Sequence, residues 1–342
     1  MTHLPNRWFR LVLALLVALS LALLGGPASA DKDDDGDGDK KGNKDNDVAA
    51  ISEISDGRIA ESSGLALSNQ HNDLAYTMND EGGAGANVYA IQVSTGEVVG
   101  AADISSLPIS DPESITVDAN GTVWLGDLGD NERQRDDVAI YAFPEPGPGE
   151  TTVSTARRYA VTFPGGPLDV EGLLVHPVTN QVHLVSKNES GNGRVFELPS
   201  LQEGGTVQAR DIGEAPGGVT DATYTHDGAW ALLLSDKAIW IYNPTTWEAV
   251  GEVETPKLEQ AESVTVERGD RTALVGSEGK NSPIVRVNLP GGADLTEPID
   301  IGDSGGSGDG IPYVTRDMAV PVGLLAAALL VAGLIAARRL KI

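Results

Sequence analysis

Cysteine is absent from all 342 residues. Its absence excludes disulfides, Cys-ligated zinc, thiol catalysis and a lipid-modified N-terminal cysteine. Basic residues are few: 24 Lys and Arg stand against 50 Asp and Glu, a formal charge of −26. Nucleic-acid binding needs a basic footprint that releases counterions, so that class is set aside. Runs of helix formers are missing outside the two termini, while glycine is abundant at 41 residues, a composition that points away from a helical fold. Apolar residues nonetheless reach 40%, enough for a packed core and too many for a chain disordered throughout.

Long apolar runs occur only at the ends. Arg7 and Arg10 precede an apolar-and-Ser run over residues 11–24, then Gly-Gly-Pro and Ala28-Ser29-Ala30. A basic flank, a short apolar core and a small-residue site describe a secretory signal peptide over residues 1–30. As a membrane anchor that run would reach only about 21 Å of a hydrocarbon layer about 30 Å thick. Residues 318–337 differ, because the uncharged stretch within them reaches roughly 28 Å as a helix, a full span. Arg338, Arg339 and Lys341 follow at once, which places residues 338–342 in the cytoplasm. The expected localisation is the cell membrane, single-pass, with the N-terminal domain extracellular.

Residues 31–47 read DKDDDGDGDKKGNKDND, an acidic linker without an apolar residue. Asp31, Asp33, Asp35 and Gly36 mimic the start of an EF-hand loop, but Gly42 stands where the bidentate Glu is required. Residues 291–317, rich in Gly, Asp and Ser, read as a stalk. Within them GDSGG, around Ser304, spells the nucleophile motif of trypsin-like serine proteases and also fits G-x-S-x-G. It lacks the preceding strand, the following helix and the His context that such a nucleophile needs, and reads as linker.

Residues 48–290 carry an internal repeat. Five units open at Ser63, Glu113, Glu171, Asp221 and Glu262, spaced 41 to 58 residues apart. Each holds three short runs of β-formers, the first two joined by turns such as Asp118-Ala-Asn-Gly121. A fourth, more polar run follows at residues 98–104, 157–163, 207–212 and 249–253. Four strands at this period are the signature of β-propeller blades. The expected fold is all-β: a β-propeller of five visible four-stranded blades, a sixth left open, plus one C-terminal transmembrane helix. Residues 49–55 have strand character and are expected to supply the last blade's outer strand.

DPESITVDANGTVWLGD (Asp111 to Asp127) and DVEGLLVHP (Asp169 to Pro177) resemble repeats of exported bacterial propellers, the loose NHL, WD40-like and "phytase-like esterase" group. ESSGLA from Glu61, NDEG from Asn79 and GDLGDN from Gly126 resemble a secreted propeller group with no assigned activity. The resemblance implies a propeller over about residues 50–290 and no particular reaction.

The acids are the most informative residues. Glu113, Glu171, Asp221 and Glu262 open the first strands, with Asp111 and Asp169 two positions earlier in blades two and three. Residues i and i−2 share a side of a strand. The second strand returns to the same end, and its exit carries Asp80, Asp127, Asn188, Asp236 and Glu278. These carboxylates are expected to converge at one mouth of the channel. Crowded like charges raise one another's pKa or recruit a cation, and calcium is the natural guest for oxygen ligands. The competing account is turn capping through local hydrogen bonds. His183 in a strand reads as structural, and Trp124, Trp230 and Trp240 as packing between blades. Three functions remain open. The chain binds an extracellular ligand or protein through its acidic face, with or without calcium; or it is a metal-dependent hydrolase of the esterase, lactonase or phosphoesterase kind with Glu113, Glu171 and Glu262 as ligands; or it is a structural envelope protein.

Overall fold

The computed structural model describes residues 50–255, 257–292, 295 and 297–301. Strand β1 (Ala50–Ile54) comes first. Blade one follows as β2 (Ser62–Leu67), β3 (Leu74–Asn79), β4 (Asn87–Gln92) and β5 (Val98–Asp103). Blade two is β6 (Pro112–Val117), β7 (Thr122–Asp127), β8 (Ala139–Pro144) and, after an excursion through β9 (Gly149–Thr152), β10 (Arg157–Thr162). Blade three is β11 (Val170–Val175), β12 (Val182–Ser186), β13 (Gly193–Leu198) and, past β14 (Thr206–Gln208), β15 (Arg210–Ala215). Blade four is β16 (Val219–Tyr224), β17 (Ala231–Ser235), β18 (Ala238–Asn243) and β19 (Glu248–Glu254). Blade five is β20 (Ala261–Val266), β21 (Thr272–Ser277) and β22 (Ser282–Asn288), completed by β1 pairing antiparallel with β22. The first and last strands thus close the ring as the sequence leads one to expect, and the sixth blade left open is not among the described residues.

The inner strands β2, β6, β11, β16 and β20 pack side by side in a closed circle. β11 and β20 are buried along their whole length, which accounts for near-continuous runs such as Gly172-Leu-Leu-Val in place of strict alternation. Turn chemistry sets each hairpin. The Asp118 Oδ1 accepts the N–H groups of Asn120 and Thr122 at 2.8 and 2.9 Å, and Gly121 takes the left-handed φ of 75° that the turn requires.

One apolar cluster fills each of the five joints between blades. Leu125, Ile115 and Tyr76 fill the first, Leu173, Leu184 and Phe196 with Trp124 the second, Tyr224, Val185 and Trp247 the third. Val264, Leu234 and Ile239 occupy the fourth, and Ile91, Ile284 and Ile54 the fifth. Trp124 therefore packs between blades, as expected; Trp230 and Trp240 lie partly buried against the clusters of blades three to five. Full burial of one such side chain contributes about 1.5–3 kcal/mol, so the ring is held mainly by its joints.

Two expectations are corrected. Residues 207–212 are not one strand. β14 crosses to pair parallel with β10 of blade two, and β15 is the outer strand of blade three. Likewise β9, which carries no strand signal, pairs parallel with β5 of blade one. These additions cover edge strands that would otherwise offer unpaired N–H and C=O groups to another chain. The stalk expected from residue 291 starts as part of the domain instead: Leu295 is buried against Ile241 and Val250, and Ile299 N–H donates to Ala249 O at 2.7 Å.

Among the described residues no helix is long and apolar enough to cross a membrane. The signal peptide, acidic linker, Ser304 motif, transmembrane span and basic tail lie outside the described residues.

Candidate functional site

The site grows out of a bulge. In blades two, three, four and five the register of the first two strands slips by one residue at the same place: between Pro112 and Ser114, Val170 and Gly172, Val219 and Asp221, Ala261 and Ser263. The skipped residues are Glu113, Glu171, Thr220 and Glu262. A bulge re-aims its side chain and interrupts the ladder. Three buried glutamates are thereby presented at one end of the channel. Thr220, not Asp221, occupies the equivalent position in blade four, so the repeat places Asp221 one residue further along its strand than its expected partners.

At that end the carboxylates act on one another. Burial, and then the charges of Glu171, Asp111, Asp80 and Asp169, push the Glu113 carboxyl well above the usual range. Burial also raises Asp111, opposed by Arg135 and reinforced by Asp169 and Asp127. Glu262 is pushed up to about 7, by burial first, with Glu278 and Asp236 adding to it and Gln260 and Lys187 opposing. Burial raises Asp169 and Glu171 too.

Two cations answer part of this charge, and sequence reasoning missed both. Lys187 Nζ lies 3.2 Å from Glu171 Oε1. Burial works against its charge, yet Glu171 and Glu262 hold the ammonium above its ordinary range. Lys187 directly follows the last residue of β12, the place of Asp80, Asp236 and Glu278 in their blades; counting one residue too far puts Asn188 there. Arg135, from the long blade-two connection, donates to Asp127 Oδ1 at 2.9 Å and to Gly129 O at 2.7 Å.

Turn capping accounts for part of the expected set. Asp127 Oδ1 also accepts the N–H groups of Ser110 and Asp111 at 3.0 and 2.8 Å, as Asn79 Oδ1 does for Ala60 and Glu61 in blade one. Asp169 Oδ1 accepts Asp130 N–H at 2.9 Å. Asp221 is enclosed in hydrogen bonds between blades. The charges of Asp80, Asp111, Asp169 and Glu171 thus act on Glu113, and those of Asp169 and Glu262 on Glu171, while Asp127 and Asp221 have other work.

Gly129 supplies the local fit. A Cβ there would stand 2.7 Å from both Asp111 Oδ2 and Glu113 Oε1, so two carboxylate oxygens converge over a residue that has no side chain. Hard oxygens from carboxylates are the donor set calcium takes. Among the described residues, no group of three or more His, Asp or Glu side chains is placed so that it could hold a metal ion. His183 lies away from this chemistry, in the joint between blades three and four: Tyr224 OH is 3.0 Å from its Nδ1, and burial, with His176, pulls its pKa down to about 4.

No protein-family model and no curated protein matches the chain. Among solved structures, a gluconolactonase from Xanthomonas campestris is similar, with a TM-score of 0.43 at 16% identity over 66% of this chain and 72% of that one. A chain of a nidogen/laminin complex gives a TM-score of 0.42 at 16% identity over 64% and 73%. Likenesses this shallow carry no information on activity.

Proposed function

We propose that this chain is an exported, membrane-anchored propeller that binds a ligand or protein partner at its acidic channel mouth through a calcium ion held by Glu113, Asp111 and Glu171, with Asp80, Asp169 and Glu262 around them. The observation that carries the reading is Glu113. It is buried, the charges of Glu171, Asp111, Asp80 and Asp169 all oppose its own, and its Oε1 converges with Asp111 Oδ2 over Gly129. A buried charge so placed either takes up a proton or recruits a cation. The residues at the ends complete the reading, with export from residues 1–30 and anchoring through residues 318–337.

The test is thermal melting in chelator and in millimolar calcium. Binding to the folded state alone stabilises by about 2.7 kcal/mol at a hundredfold excess over Kd. Gly129→Ala keeps every charge but drives a methyl group against both carboxyls, so it should blunt the calcium response without unfolding the chain. An unmutated protein whose midpoint does not respond to calcium at any concentration disposes of the reading.

A further inference from the structure

Asp221 is 1% exposed and lies one residue beyond the bulge of blade four. Its Oδ1 accepts the Ser114 hydroxyl at 2.9 Å and Ala222 N–H at 2.8 Å, and its Oδ2 accepts Val264 N–H at 2.8 Å. The Ser114 oxygen in turn accepts Leu173 N–H at 3.1 Å. These partners are not scattered. Ser114 follows Glu113 in β6, Leu173 stands two residues after Glu171 in β11, and Val264 two residues after Glu262 in β20. The carboxylate beside the blade-four bulge, where Thr220 stands in place of a glutamate, is thus tied to all three strands whose bulges carry one. β6 and β16 are not adjacent in the ring, yet they approach each other across it, so the tie spans the channel directly.

We propose that Asp221 is a positioning residue for the mouth: through Ser114, Leu173 and Val264 it sets the spacing of Glu113, Glu171 and Glu262, and with it the size of cation they accept. This rests on the cation reading of the mouth. A ladder interrupted by a bulge fixes side-chain direction less firmly than an unbroken one, so the residues beside each bulge are where an added tie has most effect. In its ionised form a carboxylate suits the task because it only accepts, and here it meets three donors. An amide in its place would turn an N–H toward at least one of them.

The experiment uses the full-length chain, unmutated and as Ser114→Ala and Asp221→Asn. Thermal midpoints are read against calcium chloride and magnesium chloride. In chelator, amide exchange is read at Leu173 and Val264, together with the carboxyl ¹³C shifts of Glu113, Glu171 and Glu262. Ser114→Ala keeps Asp221 and its two backbone donors, so it folds even where Asp221→Asn does not. The unmutated chain should favour calcium over magnesium by about tenfold or more, and Ser114→Ala should narrow that to about threefold, since selectivity between these ions follows cavity size and rigidity. Exchange should quicken at Leu173, and all three glutamate resonances should move. Asp221→Asn should enlarge these changes and quicken Val264 as well. A Ser114→Ala chain that melts earlier but keeps the original ion preference and glutamate shifts overturns the proposal. If the unmutated chain responds to neither ion, the cation reading falls and the glutamate shifts decide alone: movement of all three sustains Asp221 as the residue that spaces them, and unmoved resonances remove it.

Discussion

At the scale of single residues, the mouth divides into compensated and uncompensated acids, and the two halves should respond oppositely to substitution. Burial and the charges of Glu171, Asp111, Asp80 and Asp169 all act against the Glu113 charge, with the Ser63 hydroxyl donating to its Oε2 at 3.3 Å, so Glu113→Gln should stabilise the metal-free protein by about 1 kcal/mol near pH 8 while weakening its calcium response. Lys187 answers Glu171 and Glu262. Lys187→Met leaves both without a cation and should cost about 2–3 kcal/mol at pH 8, and much less at pH 5.5, where those carboxyls hold protons in any case. The sign of the pH dependence follows. A carboxyl such as Glu262, raised from 4.5 to about 7, keeps its proton in the folded chain where the unfolded chain has lost it. Its contribution is intact below about pH 4.5 and is lost as pH rises through 7. In chelator the midpoint should therefore fall between about pH 4.5 and pH 7.5, and calcium, which favours the ionised form, should flatten that fall. A midpoint that rises over the same interval in chelator would contradict the assignment. Only half of this pairing was legible in the sequence: Lys187 holds the repeat position of Asp80, Asp236 and Glu278, one residue before Asn188, whereas Arg135 comes from a connection between strands that the repeat does not mark.

At the scale of elements, the repeat was legible and its register was not. Aligning acid on acid puts Asp221 beside Glu171 and Glu262. Aligning on the residue before the bulge, Pro112, Val170, Val219 or Ala261, gives the observed register and puts Thr220 there. A slip of one residue reverses the face of every side chain, which is how a residue read as a ligand came to be an internal tie. The inner strands were legible because burial on both sides makes them continuous apolar runs. β9, with the sequence Gly-Glu-Thr-Thr and every residue exposed, gives no such signal, since its place depends on the edge of another blade. Two expectations follow for the elements that seal the ring. Deleting Ala50–Ile54 should expose the edge of β22 and yield a chain that aggregates on expression, seen as loss of the monomer peak on gel filtration. Leu295→Ala should cost about 2–3 kcal/mol in urea unfolding, whereas a plain stalk residue would cost nothing.

At the scale of the whole molecule, the internal repeat implied the all-β ring of five blades that the structure holds, and the terminal segments lead one to expect export and a membrane anchor. A chain ended after Asp317 should be recovered from the medium and the full chain from the membrane fraction; the truncated form pelleting with membranes would refute the anchor. Within the ring, the segment sealing the rim of blade one is encoded inside blade two, the one sealing blade two inside blade three, and the one completing blade five at the start of the chain. Blade four alone is built from one unbroken repeat that neither lends nor borrows a strand. Losing or exchanging repeat two, repeat three or the first strand strips a rim from another blade, so along most of the circle a cut between repeats leaves an edge of the ring bare.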